Sequence, residues 1–268
     1  MKRKAAVAGA FYPASPRELR RQLEEYIDPA ADRVAAKAVV SPHAGYMYSG
    51  PVAGAVFSSV VIPDRVVVLA PGHRPIRPVF ALMDEGTWET PLGPVPVDAG
   101  LAAAVLKRAP QAVADPSAHD REHSLEVQLP FLQFLNPAIS IVPIAVSYLA
   151  TYSQLEALGR AVAESIRESG RDVLIVASTD MSHYLSRREA EARDALAIRA
   201  MLDLDPRGLF DVVKSEDISM CGFQPTAAAL VAAKELGATR AELVRYGTSG
   251  DRTGDDREVV GYAGLRIY

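Results

Sequence analysis

Four short runs of the chain are apolar without polar alternation: residues 38–41, 65–70, 139–146 and 172–177, all rich in valine and isoleucine. Unbroken hydrophobicity over so few residues is what a strand buried on both faces requires. Between and after these runs the apolar positions take helical spacing, over residues 51–60, 98–109, 124–135, 153–168, 187–204 and 224–236. Ser15-Pro16-Arg17-Glu18 has capping-box spacing with proline at the first helical position, so a helix starts ahead of the amphipathic stretch 19–27. Buried strands alternating with helices predict an α/β fold, a three-layer α/β/α sandwich around a largely parallel or mixed central sheet.

Residues 80–98 break the alternation. Gly86, Pro91, Gly93, Pro94 and Pro96 punctuate Trp88-Glu89-Thr90 and Val95-Pro96-Val97 as in a hairpin at a sheet edge. Residues 241–246 and 258–267 read as two more strands joined by the polar turn 247–256. No repeat, low-complexity tract or linker interrupts the 268 residues, and the expectation is one domain over 1–268.

Composition narrows the classes. The net charge of −4, with both signs interspersed, offers no basic stripe to a nucleic-acid backbone. The basic start Met1-Lys2-Arg3-Lys4 precedes an apolar stretch too short for a signal-peptide core, and no run is long enough to span a bilayer. A cytoplasmic protein without nucleic-acid or membrane partners is expected. The single cysteine, Cys221, rules out an intramolecular disulfide and multi-cysteine metal sites.

In open α/β sheets ligands collect beyond the carboxyl ends of the strands. There the sequence places His43 after Val39-Val40-Ser41-Pro42, His73 after Leu69-Ala70-Pro71-Gly72, and Asp180 and His183 after Ala177-Ser178-Thr179. One loop histidine by itself is most simply structural. Three of five histidines behind strand ends converge on one crevice if their strands are neighbours, and imidazole serves both metal ligation and acid–base work. His123 and His119 lie in a polar stretch ahead of a predicted helix, where an ordinary helix entry explains His119 better than His123. On composition alone Cys221 is most simply a small, buried, unreactive residue, but it too precedes a helix, whose N-terminus favours thiolate. The turn 247–256 lacks the Gly-Lys-Ser/Thr ending of a phosphate loop.

Taken together, Pro42-His43-Ala44-Gly45-Tyr46-Met47-Tyr48-Ser49-Gly50, Pro71-Gly72-His73, Glu122-His123-Ser124-Leu125-Glu126, Ser178-Thr179-Asp180-Met181-Ser182-His183-Tyr184, Cys221-Gly222, Ser249-Gly250-Asp251 and Val259-Val260-Gly261-Tyr262 resemble the Memo family. Its prokaryotic members are also called AmmeMemoRadiSam system protein B. The resemblance implies a fold similar to class III extradiol ring-cleavage dioxygenases. It also implies a metal centre of two histidines and a cysteine, mapping onto His43, His73 and Cys221, with Asp180, His123 and His183 in the same pocket. The dioxygenases use a carboxylate where Cys221 stands. A thiolate is softer, so Fe(II) is the expected metal while copper and zinc also suit the donors.

On this reading the protein is a non-haem-iron oxidoreductase or dioxygenase acting on a small phenolic or enediol-like substrate. His183 or His123 is the base, assisted by Asp180, and Tyr46 and Tyr48 shape the substrate pocket. A non-catalytic module binding metal or a peptide, including a phosphotyrosine peptide, is the alternative. A thiol-dependent hydrolase built on Cys221 is a second alternative, but it leaves His43 and His73 without a role. The prokaryotic family name implies a functional link to radical-SAM and AMMECR-type proteins.

Overall fold

The unbroken apolar runs form the middle of one sheet, and the residues behind them share one edge of it. The computed structural model describes residues 1–268. Its elements in chain order are β1 (Lys2–Arg3), α1 (Pro16–Tyr26), β2 (Ala38–Ser41), α2 (Tyr46–Ser58), β3 (Arg65–Pro71), β4 (Phe80–Leu82), β5 (Thr87–Thr90), β6 (Gly93–Pro96), α3 (Ala99–Arg108) and β7 (Ala112–Ala114). There follow α4 (Leu129–Leu135), β8 (Ser140–Val146), α5 (Tyr152–Ser169), β9 (Leu174–Ser178), β10 (His183–Leu185), α6 (Arg187–Leu202), α7 (Pro206–Ser215), α8 (Phe223–Glu235), β11 (Ala241–Thr248), α9 (Gly250–Thr253) and β12 (Val259–Ile267).

The main sheet runs β10-β12-β2-β9-β3-β8-β4-β7, with β11 paired to β12. Its centre, β2-β9-β3-β8, is parallel, while β12 joins β2 and β4 joins β8 antiparallel, so the sheet is mixed. Every residue of β2 and β9 is buried, as their sequences require. Helices α1, α2 and α4 pack together on one face, and α3, α5 and α8 cover the other, giving the three-layer α/β/α sandwich. Gly54 lets α2 cross α1 closely, since a Cβ there would lie against the Tyr26 carbonyl oxygen and 2.6 Å from its Cβ.

Several local expectations change. The hairpin β5-β6 is not an edge of the main sheet; it pairs with β1 in a separate three-stranded sheet. Lys2 and Arg3 run parallel to Thr87 and Trp88, and Gly86 at φ 103 admits the Met1 carbonyl beside it. The helix expected over 124–135 is reduced to a 3-10 turn, Glu126–Gln128, followed by α4, because Ser124, Glu126 and Gln128 are buried and hydrogen-bonded outside any helix. Helix α2 begins at Tyr46, a turn before Pro51, which sits inside it. Helix α7 lies in a segment the apolar pattern leaves unassigned; Asp205 caps it by accepting the Gly208 N–H at 2.9 Å.

Candidate metal centre

Strand β9 lies between β2 and β3, so the residues following all three meet at one edge. His43 follows β2, His73 follows β3, and Ser178 ends β9 with Asp180 just beyond. The ring centroids of His43 and His73 are 5.1 Å apart, and His123 stacks on His73 at 4.5 Å. The potential ligand atoms of His43, His73 and His123 all lie within 4.8 Å of one another. Cys221 Sγ is 3.2 Å from His43 Nε2. For ordinary Zn–N and Zn–S bond lengths a tetrahedral pair of ligand atoms sits about 3.5 Å apart, so this spacing fits a shared ion.

The second nitrogen of the His43 and His73 imidazoles is already committed. Ser178 donates its hydroxyl proton to the Ser124 carbonyl at 2.6 Å and accepts from the Gln128 amide at 2.8 Å. The Gln128 orientation is fixed, because the same nitrogen donates to the Pro42 carbonyl at 2.9 Å. Ser178 can therefore only accept from His43, whose Nδ1 lies 2.9 Å away. The His43 proton is on Nδ1, and the lone pair of Nε2 faces the cluster.

Glu122 does the same for His73. Its carboxylate accepts from His73 Nδ1 at 2.8 Å and from the backbone N–H groups of His73 at 2.7 Å and Ser124 at 2.9 Å. Burial pushes the Glu122 pKa up, but the hydrogen bond and charge of His73 and the Ser124 N–H outweigh it and hold this carboxyl well below the usual range. The same oxygen lies 3.5 Å from His123 Nδ1. Orienting partners of this kind fix which imidazole nitrogen is left for a metal.

Burial, together with the neighbouring histidines, depresses His43 well below the ordinary imidazole range; burial and His73 bring His123 down to about 4. Neutral rings are the form a metal takes. Asp180, pushed up to about 6 by burial, receives the His43 N–H at 2.7 Å and lies 4.0 Å from His43 Nε2.

Cys221 stands ahead of α8, and burial and then the Asp180 charge raise its thiol pKa. The Asp180 N–H points at Sγ from 3.3 Å. Gly222 permits the approach, since a Cβ there would lie on the Ser178 carbonyl oxygen and 2.6 Å from Thr179 Cβ.

His183 stands at the margin, with Nδ1 3.0 Å from the Ser219 carbonyl and its backbone N–H on the Ser219 hydroxyl. Tyr46 is buried, its hydroxyl donated to the Val127 carbonyl at 2.6 Å, so it supports the site from beneath. Tyr48 is partly buried at the start of α2. His119 is fully buried edge-on to Trp88 and takes no part in the cluster. Sequence reasoning assigned no role to Glu122, Ser178 or Gln128. Glu122 and Ser178 each open one of the family motifs, and Glu122 is also a charge next to a candidate histidine at the start of an apolar segment; Gln128 carries no such signal.

The profile of the family described as Memo-like protein matches residues 3–266. The MEMO1 family protein MTH_45 of Methanothermobacter thermautotrophicus is 42% identical, over 99% of this chain and 100% of that protein. A MEMO1 family protein of Aquifex aeolicus is 40% identical over 98% of each chain. Among solved structures, the uncharacterized protein JW3007 from Escherichia coli K12 shares the fold, with a TM-score of 0.59 at 14% identity over 86% of this chain and 99% of that one.

Proposed function

The chain belongs to the Memo-like family, and from that premise and the strand-end geometry we propose that it holds one non-haem iron ion at His43, His73 and Cys221. Copper and zinc are competing metals. The observation that carries the reading is the pairing of two imidazoles, each with Nδ1 tied down by a dedicated acceptor, with a thiol 3.2 Å from one of them. His123, within 4.8 Å of the other two histidine donors, is the alternative third ligand.

We further propose that the protein, one domain over 1–268, is an oxidoreductase acting on a small phenolic or enediol-like substrate. When bound, the metal would supply open coordination positions and redox chemistry beside the substrate oxygens. His183 is suited to accept a substrate proton: a carbonyl can only accept, so Nδ1 carries the proton given to Ser219 and Nε2 is free. Asp180, close to neutrality in pKa, can hold or release a proton next to His43. The raised thiol pKa of Cys221 weighs against a metal-free hydrolase, which needs a thiolate.

Binding of a peptide without turnover is the second reading. It draws on the exposed apolar side chains behind the strand ends, Met47, Tyr148, Leu149 and Tyr184. Anaerobic metal analysis with electron paramagnetic resonance, on wild type and on the Cys221→Ser and His43→Ala variants, tests the first. Stoichiometric iron lost in both variants supports it; a wild type that takes up no metal after anaerobic loading with iron or copper overturns it.

A further inference from the structure

We infer that the N-terminal segment is a working part of this centre: the buried pair Arg3–Glu126 positions Glu122, and through it the imidazoles of His73 and His123. The inference rests on the metal-binding reading above.

Arg3 and Glu126 are both buried and form an ion pair at the root of the loop that carries Glu122 and His123. The remaining guanidinium nitrogens grip that loop at two further points, the His119 carbonyl from Nε at 3.0 Å and the Glu122 carbonyl from Nη2 at 2.7 Å. One planar fork thus fixes three positions of residues 119–126, which a lysine, as a point charge, does not reproduce. Arg3 is itself held in place by the pairing of β1 with β5 and lies 4.3 Å over the Trp88 ring. Glu126 returns the grip on the N-terminal side, accepting the N–H groups of Ala6 at 2.8 Å and Val7 at 3.0 Å and the Tyr12 hydroxyl at 2.5 Å.

The same segment then reaches the site directly. Phe11 stacks on His123 at 4.7 Å, and its carbonyl accepts the Tyr46 N–H at 2.8 Å at the start of the helix behind His43. If the pair served stability alone it would be a poor choice, because well-packed apolar residues often match or exceed a buried ion pair. What an apolar pair lacks is the hold on the backbone of Glu122, whose carboxylate accepts the His73 Nδ1 proton at 2.8 Å and lies 3.5 Å from His123 Nδ1. Arg3 and Glu126 are therefore positioning residues.

The test uses the full chain with Arg3→Met combined with Glu126→Met, so that no lone charge is left buried, and Arg3→Lys, which keeps the charge without the fork. Each is titrated anaerobically with Co(II), read by d–d absorption, and the metal-free proteins are compared by the ring 15N shifts of His73 and His123. The expected result for the double variant is Co(II) affinity lower by about 10–100-fold, an altered d–d spectrum, and loss of the single Nδ1–H tautomer at His73. Arg3→Lys is expected to show the same changes to a smaller extent. A folded double variant with wild-type affinity, spectrum and ring shifts overturns the inference. Should the double variant not fold, Arg3→Lys decides on the same readouts. Should wild type bind no Co(II) and also no iron or copper on anaerobic loading, the metal reading falls, and the ring shifts still decide whether Arg3 positions the histidines.

Discussion

Glu122 accepts the Nδ1 proton of His73 at 2.8 Å while also receiving that residue's backbone N–H at 2.7 Å. Side chain and backbone of one candidate ligand are thus locked to one buried carboxylate, which also lies 3.5 Å from His123 Nδ1. A site held this way is set before any metal arrives, so the cost of ordering the ligands falls on folding.

Replacing Glu122 by Gln leaves the shape but turns one acceptor into a donor that opposes either the His73 N–H or its Nδ1 proton. Metal affinity is expected to fall by about 10–100-fold, as for other partners that orient ligating imidazoles. Competition with a chromophoric chelator measures it, and an unchanged affinity would show that His73 needs no orienting group.

Gly222 is fixed by its neighbours, since an added Cβ would meet the Ser178 carbonyl and Thr179 Cβ where β9 ends. Neither is the far end of a flexible chain, so backbone must shift. Gly222→Ala is expected to cost about 1–3 kcal/mol in urea unfolding, and to weaken metal binding more than an alanine substitution at exposed Gly100, whose added Cβ would meet only Asp98 Oδ1 at 3.5 Å. Equal metal affinities for the two variants would separate Cys221 from the ion.

His119 gives a pH dependence independent of the metal site. It is wholly buried, and burial, reinforced by the Arg3 charge, lowers its pKa to about 4. The unfolded chain takes up a proton near the ordinary value of 6.5 while the folded one stays neutral. Stability from this group is therefore constant above about pH 6.5 and is lost as pH falls from there towards 4. Between pH 7.5 and 5 that loss amounts to about 2 kcal/mol. His119→Leu should remove this share of the acid destabilisation in metal-free protein, and parallel urea stability curves for wild type and variant over that range would contradict it.

The central strands were legible in the sequence because burial on both faces leaves them no polar positions: β2 begins and ends as expected. The hairpin of Trp88-Glu89-Thr90 and Val95-Pro96-Val97 is legible in the sequence but its place is not, because its partner outside the main sheet, Lys2–Arg3, is too short to register as a strand by any pattern. At the site, strand-end placement pointed to His43, His73 and Asp180, since topology alone brings those positions together. The roles of Ser178 and Gln128 were not legible: what distinguishes them is where one hydroxyl proton goes, which depends on packing between segments more than forty residues apart.

Two donors compete for the third ligand position. Cys221 Sγ and His123 both adjoin the two imidazoles, but they differ in how they are held. Sγ is fixed by the Asp180 N–H and by the close passage of Gly222 over β9, whereas His123 rests on Phe11 and a 3.5 Å approach to Glu122. The better-fixed donor should win with a thiophilic ion, which also removes the thiol proton that burial otherwise retains. Cys221→Ser is therefore expected to lower Co(II) affinity by more than about tenfold and abolish the thiolate charge-transfer band, while His123→Asn keeps both within about threefold. The opposite ordering, with the band absent in wild type and affinity lost only in His123→Asn, would assign the ion to three histidines and leave Cys221 as a neutral thiol in the wall of the site.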